Sequence, residues 1–274
     1  MQTGKQIRLN KIWKHKRAVI IPFDHAAYSG PTEGIEDLRQ LTQRIAQTDA
    51  DAVLVNPGSL ELIAPVLGGL SVILRLDGGF TRFSSAPADY RTMCPPKNAL
   101  TLGADAGIVF TFVGTAHETE SLERLGRTAA GSSRIGLPLI AEILPPGLLN
   151  NHFGSSMFVT SKKKNIFEET LSVARIGAEA GADVIKTRYT GNVKEFREVV
   201  RQCGAPVIVA GGPNLNGTDK QLLQLAFDCV QADAAGIIFG RNVWQHPRME
   251  SLIEALCAIV HEEKSVGDAL KLLR

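Results

Sequence analysis

A chain of 274 residues, 44% of them hydrophobic and 21% charged, has apolar material for a large core; this excludes a disordered protein and suits one α/β barrel better than two domains. Thirty basic residues against 28 acidic ones leave a formal charge of +2, so no field of one sign points to nucleic acid or an anionic membrane. Any anion site has to be local.

In chain order, residues 1–16 read as a basic N-terminal extension. The apolar run after it stops at Pro22 and Asp24, too soon for a signal-peptide core, and no later run approaches the length of a transmembrane helix. Cys94, Cys203, Cys229 and Cys257 are widely spaced without a C-x-x-C pair, as in a reduced protein. The expectation is a soluble, cytoplasmic chain.

Short aliphatic runs then recur: AVIIPF (18–23), AVLVN (52–56), SVILRL (71–76), GIVFTFV (107–113), LPLIAEI (137–143), DVIKT (183–187), PVIVA (206–210) and AGIIFG (235–240). Near-continuous apolar runs of this length suit parallel strands covered on both faces. Segments of helical spacing lie between them, among them residues 33–49, 117–130, 166–181 and 219–233. Three helices run out in similar phrases, LGADAG, AGADV and QADAAG, where a small residue lets the chain turn back into the sheet. The alternation predicts a (β/α)8 TIM barrel forming a single domain over 1–274, with a doubly wound open sheet as the alternative.

In that barrel chemistry belongs to the loops after the C-terminal ends of the strands. The loops after strands three and five are long, so at least one is expected to form a lid or a subunit contact. Lys162, Lys163 and Lys164 in the second of them either reach a phosphate or form a solvated run before a helix.

After strand one, Asp24 holds a substrate hydroxyl, helps move protons or caps its loop, and His25 either packs or binds substrate. Arg75 and Asp77 share a face at the end of strand three by the period of two, and strand five offers Glu142. Lys186 interrupts the apolar strand six. Pointing inward, it is either a nucleophile, its pKa lowered by burial and by Arg188, or the partner of an inward carboxylate such as Glu142. Arg188 is alternatively a binder of an anionic substrate group. Gly211 and Gly212 after strand seven, with Gly240 and Arg241 after strand eight, occupy the two loops where this fold holds phosphate. No metal site is expected, since the six histidines show no short ligand spacing, and no G-x-G-x-x-G supports a dinucleotide.

Taken together and in order, IPFDHAAYSGP, GADVIKTRYTG, PVIVAGGPN and AAGIIFGRNVWQ resemble the archaeal-type class I aldolases, from about Arg17 to the C-terminus. That family includes fructose-bisphosphate aldolase, aminodideoxyheptulosonate synthase and the phospho-autoinducer-2 thiolase. The resemblance implies a barrel in which Lys186 forms a Schiff base with a ketone, Asp24 assists, and Gly211, Gly212, Gly240 and Arg241 hold a substrate phosphate. It also implies a homo-oligomer, in many members a decamer.

One stretch departs from the family. Its aldolases end strand five in Tyr-Pro-Arg-Gly, with the tyrosine as acid/base, where this chain has Leu144, Pro145, Pro146 and Gly147. The thiolase branch lacks that tyrosine too. Glu142, on the same face one layer deeper, is the expected replacement, ahead of Tyr28 and Tyr189. The expected activity is cleavage or formation of a carbon–carbon bond in a small phosphorylated ketose or ketone, with no cofactor. Acyl transfer from a phosphorylated diketone to a thiol such as coenzyme A, and an inactive sugar-phosphate-binding barrel, are the alternatives.

Overall fold

The computed structural model describes residues 2–84, 89–150, 165–212 and 217–273. Strands Ala18–Pro22 (β1), Ala52–Val55 (β2), Ser71–Arg75 (β3), Ala106–Thr111 (β4), Leu139–Ile143 (β5), Val184–Arg188 (β6), Val207–Ala210 (β7) and Gly236–Ile238 (β8) pair in parallel, each with its chain neighbour. The sheet closes where β1 meets β8, Ala18 opposite Gly236. Gly236 has φ 152, and a Cβ on it would collide with the Ala18 carbonyl, so this seam requires glycine. The closed parallel barrel, with helices between strands, replaces the open-sheet alternative.

Alternation along the strands sorts the core into two shells. Ile20, Leu54, Ile73, Ile108, Ile140 and Val184 face one another inside the barrel, while Val19, Val53, Leu74, Val109, Ala141 and Ile185 pack outward against the helices. Lys186 therefore shares the inner face with Val184, two positions nearer the C-terminal mouth. Among the described residues no helix is long and apolar enough to cross a membrane.

The basic extension is a helix, Thr3–Ile12 (α1), which seals the opposite mouth: Leu9 and Ile12 join the interior cluster from below. Three aspartates that immediately precede strands hold this end. The N–H groups of Val19, Val72 and Leu139 donate to Asp51, Asp105 and Asp183 at 2.8, 3.0 and 2.9 Å, tying each strand to the one before it. Each aspartate also meets a nitrogen from elsewhere: Asp51 lies 2.8 Å from His261 Nε2, Asp105 3.2 Å from Lys11, and Asp183 2.8 Å from Lys5. The phrases LGADAG and AGADV thus carry more than a permissive turn, whereas Asp233 of QADAAG is exposed, with φ 61.

His15 stacks on His261 at 4.1 Å, so His15, Asp51 and His261 come close enough to be metal ligands despite their sequence spacing. They lie at the end of the barrel remote from Lys186, and Asp51 Oδ2 is already engaged by Val19 N–H and His261. The four cysteines are free and buried.

Lys5 is 5% exposed, so losing its ammonium strands a partly buried carboxylate. Lys5→Met is expected to lower the unfolding free energy in urea by about 2–3 kcal/mol, below the 3–5 of a fully buried pair because Asp183 keeps the Leu139 N–H. Lys11→Met, with its side chain 60% exposed, should change it by less than about 1 kcal/mol.

Candidate active site

The loops at the C-terminal mouth enclose a cavity of about 460 Å³ whose wall includes Asp24, His25, Arg75, Asp77, Glu142 and Lys186. Six residues predicted from four separate strand ends thus meet in one place. Lys186 Nζ lies 2.6 Å from Glu142 Oε1, and Glu142 Oε2 accepts from Arg75 Nη2 at 2.5 Å. Arg75 also donates through Nε and Nη2 to Asp24 Oδ2 at 2.9 and 2.7 Å, and its Nη1 stands 3.6 Å from Asp77 Oδ1. Asp77 Oδ2 accepts from the Phe110 N–H at 2.8 Å and faces Arg124 Nε at 3.3 Å.

Three cations and three carboxylates therefore alternate through a buried chain, so that each desolvated charge has an opposite neighbour. Burial alone would lower the Arg75 pKa, but Asp24, Glu142 and Asp77 outweigh it and raise it. Asp77 is pushed up to about 6, because burial outweighs the pull of Arg75 and Arg124. The cation facing Arg188 is Arg241, and the group beside Lys186 is the Glu142 carboxylate; the expected Arg188–Lys186 repulsion gives way to an ion pair.

His25 Nδ1 stands 3.6 Å from Asp24 Oδ1, with the Trp244 ring edge-on at 5.5 Å. Burial, joined by Arg241 and Lys186 against the opposing pull of Asp24 and Glu142, lowers the His25 pKa from 6.5 to about 4. The imidazole is neutral at neutral pH. Since the unfolded chain binds this proton more readily, the His25 contribution to stability is present above pH 6.5 and lost as pH falls toward 4. Asp77 has the opposite sign: its contribution is present below pH 3.8 and lost as pH rises through about 6. His25→Gln is expected to flatten the acid-side loss of stability, and Asp77→Asn to steepen it, as read from urea midpoints across this range.

Arg188, at the end of β6, packs into the space left by Gly212, where φ is 80 and a Cβ would collide with the guanidinium. Burial and the nearby Arg241 lower the Arg188 pKa. Arg241 Nε is buried without a hydrogen-bond partner among the described residues. Gly240 lets His25 Cε1 approach to 3.0 Å of where a Cβ would be, and Gly211 does the same for the Phe239 ring at 2.9 Å. These glycines and two arginines lie beside the cavity rather than in its wall, joined to it through His25.

A family model for the DeoC/LacD aldolases matches residues 18–246. The chain belongs to this family. It is 34% identical over 98% of its length to 2-amino-3,7-dideoxy-D-threo-hept-6-ulosonate synthase 1 of Archaeoglobus fulgidus, covering 95% of that protein. It is 28% identical over 98% of its length to the 3-hydroxy-5-phosphonooxypentane-2,4-dione thiolase of Yersinia enterocolitica, covering 86% of it. It superposes with a TM-score of 0.81, at 25% identity, on an archaeal fructose-1,6-bisphosphate aldolase whose catalytic lysine is covalently bound to the carbinolamine intermediate of the substrate. That similarity covers 94% of this chain and 100% of the other. The protein is an enzyme of the class I aldolase family, a carbon–carbon lyase or related transferase.

In this DeoC/LacD family aldolase, Leu144 is fully buried in an aromatic cluster with Phe80, Tyr90, Phe110, Phe112 and Leu149. Tyr189 is turned away from the cavity, its hydroxyl donating to Asp228 at 3.3 Å. Tyr28 and Tyr90 do line the cavity. Burial raises the pKa of both phenols, so both remain protonated at neutral pH. Tyr28, placed behind Glu142 by the sequence, is set facing Asp24 by a short helix, Ala26–Ser29.

Arg124 carried no signal in the sequence: it reaches in from helix Glu118–Ile135 and donates to the Tyr90 and Phe110 carbonyls at 2.5 and 2.7 Å. Phe110 was legible in principle, as the inward position after Ile108. The loop after β3 forms a small antiparallel ribbon, Asp77–Gly78 with Arg91–Thr92, which walls the cavity. Lys162, Lys163 and Lys164 lie outside the described residues, as do Pro213 and Asn214.

Proposed function

We propose that this enzyme makes or breaks a carbon–carbon bond in a small phosphorylated ketose or ketone through a lysine iminium on Lys186. The observation that carries this reading is the Lys186 ammonium, 5% exposed on the inner face of β6 and 2.6 Å from a carboxylate at the barrel mouth. Glu142 accepts the ammonium proton, and the neutral amine attacks the ketone carbon to give a carbinolamine. The same carboxylic acid returns the proton to the departing hydroxyl, which leaves as water. In the cleavage direction a base, Asp24 or Glu142, takes the proton of the hydroxyl two carbons from the iminium carbon, on the far side of the bond that breaks, and that carbon leaves as an aldehyde. The carbon–carbon bond breaks, its electrons passing into the iminium to form an enamine. Protonation and hydrolysis then release the ketone and restore Lys186. No metal or organic cofactor enters these steps.

Arg188 and Arg241, near each other and next to the backbone of Gly211, Gly212 and Gly240, are the proposed phosphate anchor. His25, neutral between that anchor and Asp24, would contact the substrate, with Arg75 and Asp77 setting the carboxylates. We also propose a homo-oligomer with a role in carbohydrate metabolism. The test is borohydride reduction in the presence of dihydroxyacetone phosphate and a panel of phosphoketoses, with peptide mass spectrometry: added mass on Lys186 supports the reading.

Two observations favour acyl transfer as the second reading: the relatives named as thiolases, and Leu144 in place of the strand-five tyrosine. Products formed only with coenzyme A present would select it. Phosphate ligands that stabilise the fold without any lysine adduct would indicate a sugar-phosphate-binding barrel.

A further inference from the structure

A ketose held at Lys186 by its carbonyl extends in two directions, and the two surroundings differ in kind. On one side stand Arg188 and Arg241, neither of which forms an ion pair with a carboxylate among the described residues. On the other side the cavity spreads over the loops after β1, β2 and β3, where Tyr28, Phe80, Tyr90, Met93 and Phe110 make a mainly apolar wall beside the uncharged Asn56 and Thr81. The rings are held in a fixed stack: Phe110 lies 4.5 Å from Phe112, and Tyr90 meets Phe110 edge-on at 6.1 Å. Among the described residues the cations reaching this cavity are Arg75, engaged by Asp24, Asp77 and Glu142, and Lys186, engaged by Glu142. A second phosphate entering here would meet carboxylates and aromatic faces instead of a free cation.

We infer that the substrate fragment beyond the breaking bond is uncharged and rich in hydrocarbon, an aliphatic or aromatic aldehyde on cleavage, rather than a phosphorylated one. This rests on the Schiff-base reading above. An apolar wall gains from burying methylene or ring surface, whereas a phosphate would lose its water without replacement. In the bond-forming direction, the aldehyde carbonyl carbon takes the enamine's electron pair and its oxygen takes one proton. The rest of the aldehyde stays unchanged against the wall.

The test uses the full-length enzyme with dihydroxyacetone phosphate as donor and pentanal, benzaldehyde or glyceraldehyde 3-phosphate as acceptor, with borohydride trapping run in parallel. Both uncharged aldehydes are expected to exceed the phosphorylated one in kcat/KM by at least about tenfold. Met93→Lys brings a cation to the exposed rim of the wall and should shift that ratio toward glyceraldehyde 3-phosphate. An adduct on Lys186 together with a wild-type preference for glyceraldehyde 3-phosphate overturns this inference alone. Absence of any adduct overturns the Schiff-base reading and this inference with it.

Discussion

Lys186→Met is expected to abolish the borohydride-trapped adduct and to lower turnover by roughly 10⁴-fold or more, the scale on which loss of a covalent nucleophile is felt. Methionine fills most of the volume of the lysine stem, so the barrel interior below it keeps its packing. The abandoned Glu142 carboxylate still accepts from Arg75 at 2.5 Å, so it is not left alone in the core. Folding should therefore survive, with a loss of stability below the roughly 3–5 kcal/mol of a fully stranded buried charge. Circular dichroism and a urea curve separate this outcome from simple unfolding. A folded Lys186→Met protein that retained its adduct would place the nucleophile elsewhere.

Arg75→Met is expected to be the more damaging change to the fold, at about 3–5 kcal/mol in urea. One guanidinium answers Asp24 and Glu142 through direct hydrogen bonds and Asp77 at 3.6 Å. Without it these buried carboxylates face one another across the barrel mouth, and each is easier to protonate. The deficit should consequently shrink as pH falls through the carboxylate range and grow above it. Arg75→Lys should recover only part, since a single ammonium cannot span three carboxylates as the fork does. Asp24→Asn added to Arg75→Met should regain stability, because it removes one of the stranded charges. A variant with wild-type stability at pH 7 would show that the chain of charges is not coupled.

Strand positions were legible because eight apolar runs need cover on both faces, and the inward direction of Lys186 followed from alternation. The order of the charges was not. Period two puts Arg75 and Asp77 on one face but is silent on Arg75 reaching Asp24, whose position is fixed from the end of the neighbouring strand by Asn56 Nδ2 donating to its carbonyl at 2.8 Å. Arg124 enters from a helix, where its polarity looks like an ordinary solvated position. Leu144 marked a missing tyrosine by comparison with a family, yet only packing shows that this position turns into an aromatic cluster while Tyr28 faces the cavity. Of the strand-start aspartates, Asp105 and Asp183 stand in the repeated phrases and Asp51 does not, and the hydrogen bonds of all three join residues 32 to 44 positions apart, beyond any local pattern.

The plug at the lower mouth has a consequence for the order of assembly. Helix α1 leaves the ribosome before any strand of the barrel, yet Lys5 waits for Asp183, 178 residues later, and the Trp13 indole for the Ala235 carbonyl, 222 residues later. Until then Leu9 and Ile12 have no interior to enter. A nascent half barrel accordingly carries both an open seam and an unseated first helix, so native structure arrives late and in one step. Slow, non-local closure of this kind exposes the growing chain to aggregation for most of its synthesis.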